Sequence, residues 1–228
     1  MAAAGILVLA LDFRQSQDAP YPASILDINL GLRWAKANAR QFNGTDRWGG
    51  LGSSSGGHQI LLTALRPRDE RYRQLSSSDQ AALDARLSFV LACWQSLIRS
   101  SAIYGACELN LDSVAAYEAY WPSEAAMSEG DPHLIVERHE AGELPLLLVL
   151  QGTADDVVPV EMQERFVASY RTAGGHVELV RFEGMPHTFV QRQPEHPESK
   201  RAIETMIRFV KQQAPLATAA GDEPRTTA

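Results

Sequence analysis

Trp48-Gly49-Gly50-Leu51-Gly52-Ser53-Ser54-Ser55-Gly56-Gly57 is the stretch whose reading decides the fold. Residues 48–52 are a weak strand by composition, and the helix-like run Gln59–Leu65 follows. Between them Gly52-Ser53-Ser54-Ser55-Gly56 matches G-x-S-x-G, the pattern of a sharp turn from strand into helix. The flanking glycines let the two backbones approach, and the middle serine is held out at the strand tip. Its hydroxyl then lies beside a helix N-terminus, which favours negative charge. Serine- and glycine-rich turns also occur as plain flexible loops, so the motif needs partners elsewhere in the chain.

Apolar runs and helical patterns alternate on either side of that turn. Upstream, Gly5–Leu11 is short, continuous and bounded by Asp12, which fits a strand buried on both faces. Ala19-Pro20-Tyr21-Pro22 reads as a turn or an extended stretch, and Ser24 is placed to cap a helix. Ile25, Ile28, Leu32, Ala35, Ala39 and Phe42 step by three and four along one face of that helix, which Asn43-Gly44 stops. Downstream, residues 66–84 are polar and read as an excursion from the core. Leu83–Ile98 reads as helical, Ala102–Cys107 as a short strand, and Leu111–Val136 as mixed and broken at Trp121-Pro122. Leu144–Leu150 is the clearest strand. Val160–Ala173 is a helix ended by Gly174-Gly175, and His176–Phe182 alternates as a strand. Ser199–Gln213 is a helix with Ile203, Met206, Ile207 and Val210 on one face. The order implies an α/β fold, a mostly parallel sheet flanked by helices. We expect one domain over residues 1–213, a cap-like insertion within 66–136, and a disordered tail over 214–228.

Composition narrows the function. A chain of 228 residues suits one domain, or one with a small cap. With 45% hydrophobic and 21% charged residues it is a globular sequence, not a disordered one. No apolar run approaches the ~20 residues that span a bilayer. The apolar start lacks a basic leader and reads as a strand, not a signal peptide. A net charge of −7 argues against nucleic acid or an anionic membrane as the main partner. Cys93 and Cys107 make no disulfide framework and have no metal-ligand spacing, so we expect free buried thiols and a cytoplasmic setting. No phosphate-binding glycine loop or HExxH helix is present, and no cofactor is implied.

A serine nucleophile needs a base and an acid, here in the chain order Ser, Asp or Glu, His. Asp155, in Gln151-Gly-Thr-Ala-Asp155-Asp156, lies past the end of a strand, the edge where open α/β sheets place ligands. A turn or cap role serves equally for Asp155 alone, and Asp156 is the neighbouring alternative. His187 follows the last strand in Gly184-Met-Pro-His187-Thr-Phe189. Among the other histidines, His133, His139 and His196 stand in polar stretches and read as exposed. His176 begins a strand, and His58 reads as a packing residue. Ser54, Asp155 and His187 thus occur in the required order, each at a strand end.

These residues resemble α/β-hydrolase esterases of the hormone-sensitive-lipase-like branch. Leu11-Asp-Phe-Arg14, Ala19-Pro-Tyr-Pro-Ala23 and the helix ending Trp34-Ala-Lys-Ala-Asn38 match that branch's "LDYRLAPE" and "FPA" stretches and the helix that follows. Its "GDSAGG" elbow corresponds to Gly52-Ser-Ser-Ser-Gly-Gly57, with Ser53 where the branch usually has Asp. Gly152-Thr-Ala-Asp155 with Val158-Pro159, and Gly184–Phe189, match its acid and histidine loops. The resemblance covers residues 5–213, least in the cap. It implies Ser54 as nucleophile, His187 as general base, Asp155 as orienting acid, and the Ser55 backbone N–H as an oxyanion donor. The reaction implied is two-step cleavage of a small carboxylic ester, with no cofactor. Peptidase or lactonase activity on the same fold, or a non-catalytic binding role, are the competing readings.

The resemblance also implies an "HGGG" oxyanion loop and a strand between the Gly5–Leu11 strand and the one leading to Ser54. No His-Gly-Gly-Gly occurs in this sequence. The fold is therefore expected as an N-terminally truncated one, in which those two strands pair directly or leave a gap. Losing an oxyanion donor typically costs ~10²–10³ in rate. An upstream start, a fragment, or another segment or subunit filling the gap would each account for it. Arg66, Arg68, Arg71 and Arg73 suit an acidic group or a solvated cap surface. Trp94, Tyr117, Tyr120 and Trp121 suit an acyl pocket or packing under the cap, and Ser76–Asp79 a loop leading to a helix cap.

Overall fold

The computed structural model describes residues 1–75, 82–94 and 118–213. Among these residues, four strands form one parallel sheet in sequence order: β1 (Gly49–Ser53), β2 (Phe89–Cys93), β3 (Leu146–Gly152) and β4 (Val177–Phe182). The register is continuous across it, with Gly52 opposite Ala92, Ala92 opposite Val149, and Val149 opposite Leu179. The helices are α1 (Ala23–Asn38), α2 (Ser55–Leu65), α3 (Glu124–Glu129), α4 (Pro132–Glu137), α5 (Val160–Thr172), α6 (Phe189–Arg192) and α7 (Pro197–Gln213).

Period-two alternation along the strands divides the core into two layers. Val90, Ala92, Leu147 and Val149 face a cluster built with Ile25, Ile28 and Leu32 of α1, Leu61 and Leu65 of α2, and Phe166 of α5. Phe89, Leu91, Leu148 and Leu150 face the opposite layer, with Phe189, Ala202, Met206 and Phe209 of α6 and α7. On α7 the buried stripe centres on Ala202, Met206 and Phe209, while Ile203 and Val210 flank it half-buried. That is one step round from the expected stripe.

Several expectations need correction. Leu83–Ile98 is not one helix, because β2 occupies Phe89–Cys93. All five of its residues are buried, so the run carries no alternation and is indistinguishable by pattern from a buried helix. This strand lies inside the 66–136 stretch, which therefore supplies part of the sheet as well as any cap. Residues 66–75 are docked rather than an excursion. Tyr72 is in the core, and Glu129 of α3 accepts hydrogen bonds from Tyr21 and Tyr72 and pairs with Arg66 and Arg71. Burial pushes both phenols well above the ordinary tyrosine range, so they stay protonated donors to that carboxylate. Arg68 pairs with Asp84 and Glu143, so the arginine cluster is engaged by acids of the chain itself. Ser24 is not a cap: Pro22 holds that position, and the Ser24 hydroxyl lies 2.9 Å from the Tyr120 hydroxyl.

Gly5–Leu11 is not a strand either. A single 3₁₀ turn, Ala2–Ala4, precedes it, and the segment runs outside the sheet with Leu7 and Val8 45% and 54% exposed. A strand buried on both faces needs ladder partners, and β1 pairs with β2 alone among the described residues. The segment instead leans on the α1 region, with Leu11 beside Gly31 and Leu7 beside Gly44. The two stretches therefore neither pair nor enclose a gap, and β1 is an edge strand with Leu51 50% exposed. Leu144–Leu150, Val160–Ala173 and His176–Phe182 fall where expected, as β3, α5 and β4. Asn43, in the left-handed region at φ 55°, ends the 3₁₀ extension of α1 (Ala39–Phe42). Ala102–Cys107, Tyr117, Ser76–Asp79 and the tail over 214–228 lie outside the described residues.

The contrast between Gly5–Leu11 and β2 is testable. Val8→Ala should change the unfolding free energy by less than ~0.5 kcal/mol, whereas Val90→Ala should cost about 2 kcal/mol or more, both read from urea denaturation midpoints.

Candidate active site

The parallel sheet brings the C-terminal ends of all its strands to one edge, and the candidate residues lie there. Ser54 follows β1 directly, at φ 53° and ψ −122°, a conformation that ordinary residues avoid. Its backbone N–H donates to the Cys93 carbonyl at 3.0 Å, and its carbonyl accepts from His58 N–H at 3.2 Å. The turn is tight because Gly52 has no side chain: a Cβ there would lie 2.2 Å from the Gly56 carbonyl oxygen. The two glycines of the motif are not equivalent, since a Cβ on Gly56 would meet nothing within 4 Å.

Asp155 lies in the loop after β3. Its Oδ1 accepts from the backbone N–H groups of Val157 and Val158, at 3.0 and 2.8 Å. Its Oδ2 lies 2.8 Å from Nδ1 of His187, in the loop after β4. Nε2 of His187 lies 3.0 Å from the Ser54 hydroxyl. A carboxylate can only accept, so Nδ1 carries the ring proton and Nε2 is left bare to accept from Ser54. The Asp155 carboxylate is closed to solvent and the His187 ring nearly so. Asp156 is exposed and makes no part of this line. Ser55, the first residue of α2, follows Ser54 directly.

Other residues shape these loops without being evident in the sequence. A Cβ on Gly152 would lie 2.1 Å from the Met185 carbonyl oxygen, so that glycine admits the histidine loop against the acid loop. The Thr153 hydroxyl accepts from Gly184 N–H at 2.8 Å, and buried Gln151 donates to the Val158 carbonyl at 2.9 Å. Gly152 falls in the acid-loop motif and was visible there; Thr153 and Gln151 carry no sequence signal. Trp94, Trp121 and His58 are buried. Trp121 packs on Tyr21 with ring centroids 4.7 Å apart, and Trp94 on Phe189 at 5.0 Å. Nε2 of His58 donates to the Gly130 carbonyl at 2.9 Å, and burial pushes its pKa down to about 4, so it is a neutral packing residue. His133, expected exposed, is 2% exposed. Its ring packs on Phe166, and Nε2 lies 3.1 Å from the Ser169 hydroxyl and 3.0 Å from Glu137. The short helix α4 turns one face to the core, which its polar flanks hide. Cys93 is buried and free, with its thiol pushed up to about 12.

A parallel sheet with helices on both faces and a Ser–His–Asp line at its C-terminal edge defines an α/β-hydrolase-fold protein. Solved esterases share it. The Pyrobaculum calidifontis esterase superposes with a TM-score of 0.69 at 20% identity, over 92% of this chain and 66% of that one. A truncated carbohydrate esterase from gut microbiota gives 0.68 at 21%, over 89% and 72%. The BD-FAE family profile matches residues 1–93. Esterase LipC of Mycobacterium tuberculosis is 27% identical over 186 residues, 78% of this chain and 45% of LipC. The probable carboxylic ester hydrolase LipM of the same organism is 24% identical over 172 residues, 75% and 39%. The chain thus spans less than half the length of either relative. Its likeness is to the hormone-sensitive-lipase-like α/β-hydrolase esterases, as the motifs from Leu11 to Phe189 indicate. No helix among the described residues is long and apolar enough to cross a membrane.

Two outcomes follow from this geometry. Gly52→Ala should lower the thermal midpoint by several degrees or prevent folding, while Gly56→Ala should leave it unchanged or slightly higher. Stability should also fall with acid on account of His58. Its folded pKa of about 4 lies below the ordinary 6.5, so below that ordinary value the unfolded chain binds a proton the folded site refuses. The loss should begin near pH 6.5 and saturate near pH 4, at no more than ~1.4 kcal/mol per pH unit. His58→Gln should flatten that part of the urea-midpoint profile.

Proposed function

We propose that the chain is a serine hydrolase that cleaves a small carboxylic ester through an acyl-enzyme, with Ser54 as nucleophile, His187 as general base and Asp155 as orienting acid. The observation that carries the reading is the hydrogen-bonded line from the Ser54 hydroxyl through both ring nitrogens of His187 to Asp155. The esterase relatives support the substrate class.

The Ser54 oxygen attacks the ester carbonyl as Nε2 of His187 takes its proton. Asp155 keeps the imidazole in the tautomer that can accept that proton, and stabilises the imidazolium once it forms. The Ser55 N–H donates to the developing oxyanion. Collapse of the tetrahedral intermediate expels the alcohol, which leaves with the proton from Nε2. Water, deprotonated by the same nitrogen, then releases the acid and restores Ser54. Every step uses groups of the chain itself and a water molecule. A cytoplasmic setting fits the free thiol of Cys93.

The test is hydrolysis of p-nitrophenyl acetate. Ser54→Ala and His187→Ala should each lower kcat/KM by at least ~10³, and Asp155→Asn by about 10²–10⁴. Turnover undiminished in Ser54→Ala would overturn the reading.

A further inference from the structure

Nucleophile and base arrive at the candidate site from opposite ends of the sheet, with β2 and β3 between them. The acid and histidine loops are laced together directly. Thr153 N–H donates to the Phe182 carbonyl at 3.0 Å, Ala154 N–H to the Met185 carbonyl at 3.1 Å, and Gly184 N–H to the Thr153 hydroxyl at 2.8 Å. The nucleophile turn takes part in none of these contacts. Among the described residues, its side-chain ties to the rest of the site, apart from the Ser54–His187 bond itself, converge on the neighbouring hydroxyl of Ser53.

Ser53 accepts two hydrogen bonds. The indole N–H of Trp94 donates to it at 2.6 Å, and the side-chain amide of Gln191 at 3.2 Å. Trp94 stands at the tip of β2 and is 1% exposed. Its backbone N–H donates to the Leu150 carbonyl of β3 at 2.7 Å, and its ring packs edge-on against Phe189. Gln191 lies on α6, whose first residue is two positions after His187. Alternation along β1 puts Ser53 on the same face as Gly49, whose missing Cβ points at Phe89. That is the layer holding Trp94 and Phe189. One hydroxyl adjacent to the nucleophile therefore receives a donor from the middle of the sheet and a donor from the helix that follows the base.

We propose that Ser53, Trp94 and Gln191 form a positioning cluster that fixes the separation of the Ser54 hydroxyl from His187 Nε2. None of the three touches the reacting atoms. They act by tying the edge strand that carries the nucleophile to the half of the site that carries the base. The proposal rests on the serine-hydrolase reading above. Because a nucleophile displaced by about 1 Å from its base can lose ~10²-fold in rate, a looser tie should appear in kcat and not in KM.

The experiment measures kcat and KM for p-nitrophenyl acetate, the rate of Ser54 labelling by a fluorophosphonate, and the thermal midpoint. The variants are Ser53→Ala, Gln191→Ala, Ser53→Asp and Ser54→Ala. Ser53→Ala should lower kcat and the labelling rate about tenfold with KM within about twofold. Gln191→Ala removes an exposed side chain, so it should lower both rates severalfold with the thermal midpoint unchanged. This separates positioning from folding. Ser53→Asp keeps an acceptor for both N–H groups and should recover most of the loss. Parental rates in both Ser53→Ala and Gln191→Ala, or a loss confined to KM, would overturn the proposal while leaving the triad reading intact. Labelling that persists in Ser54→Ala, or a parent chain that is not labelled, would overturn the triad reading and the positioning proposal with it.

Discussion

The parallel pairing of β1 to β4 is the constraint on which the rest of the structure depends. Parallel strands cannot be joined by tight hairpins, so each connection must cross a face of the sheet. The crossing helices α2, α4 and α5 bury Val90, Ala92, Leu147 and Val149 on one side, while α6 and α7, which follow the last strand, cover Leu91, Leu148 and Leu150 on the other. The same pairing puts the C-terminal end of every strand at one edge. Ser54, Trp94, Asp155 and His187 each follow a different strand and so lie at that one edge. An antiparallel sheet would have divided them between two edges.

Convergence alone does not give hydrogen-bond geometry, and the local chemistry supplies the remainder in two ways. The first is steric. Gly52 and Gly152 let backbone carbonyls approach where a Cβ would collide, at Gly56 and at Met185. These contacts press the nucleophile turn onto α2 and the histidine loop onto the acid loop. The second is polar saturation. Both oxygens of Asp155 are engaged, one by two backbone N–H groups and the other by His187. The carboxylate thus has one orientation, and through it the imidazole has one tautomer.

How far the sequence foretold this varies with the kind of signal. β3, α5 and β4 were legible because their boundaries coincide with Pro and Gly; β3 is as buried as β2, but Pro145 and Gly152 mark it off. The order of Ser54, Asp155 and His187 was legible because each stands at a strand end within a short motif. β2 was not, since a strand buried on both faces loses the alternation that separates strand from helix. Gly5–Leu11 failed in the opposite sense: an apolar run specifies affinity for a core but not a ladder partner, and here the run lies against α1 with Leu7 and Val8 in solvent. His133 was misplaced because the residues on either side of α4 are polar while the helix turns it onto Phe166. The links through Ser53, Thr153 and Gln151 are side-chain contacts between residues far apart in sequence, and no local pattern announces them.

The position of β1 explains why such links matter. Interior strands such as β2 and β3 are held by ladders on both sides and by large apolar side chains on both faces. Among the described residues β1 has one ladder, it has three glycines in the five residues Gly49–Ser53, and its largest side chain, Leu51, is half in water. An edge strand of that composition contributes little packing of its own. Yet it leads into a residue at positive φ, Ser54. The order of the nucleophile turn must come from its surroundings: the backbone contact of Gly52 with α2, the hydrogen bond from Ser54 N–H to Cys93, and the two donors that meet at Ser53. This edge strand is thereby anchored at the end next to Ser54, where a shift would lengthen the distance to His187.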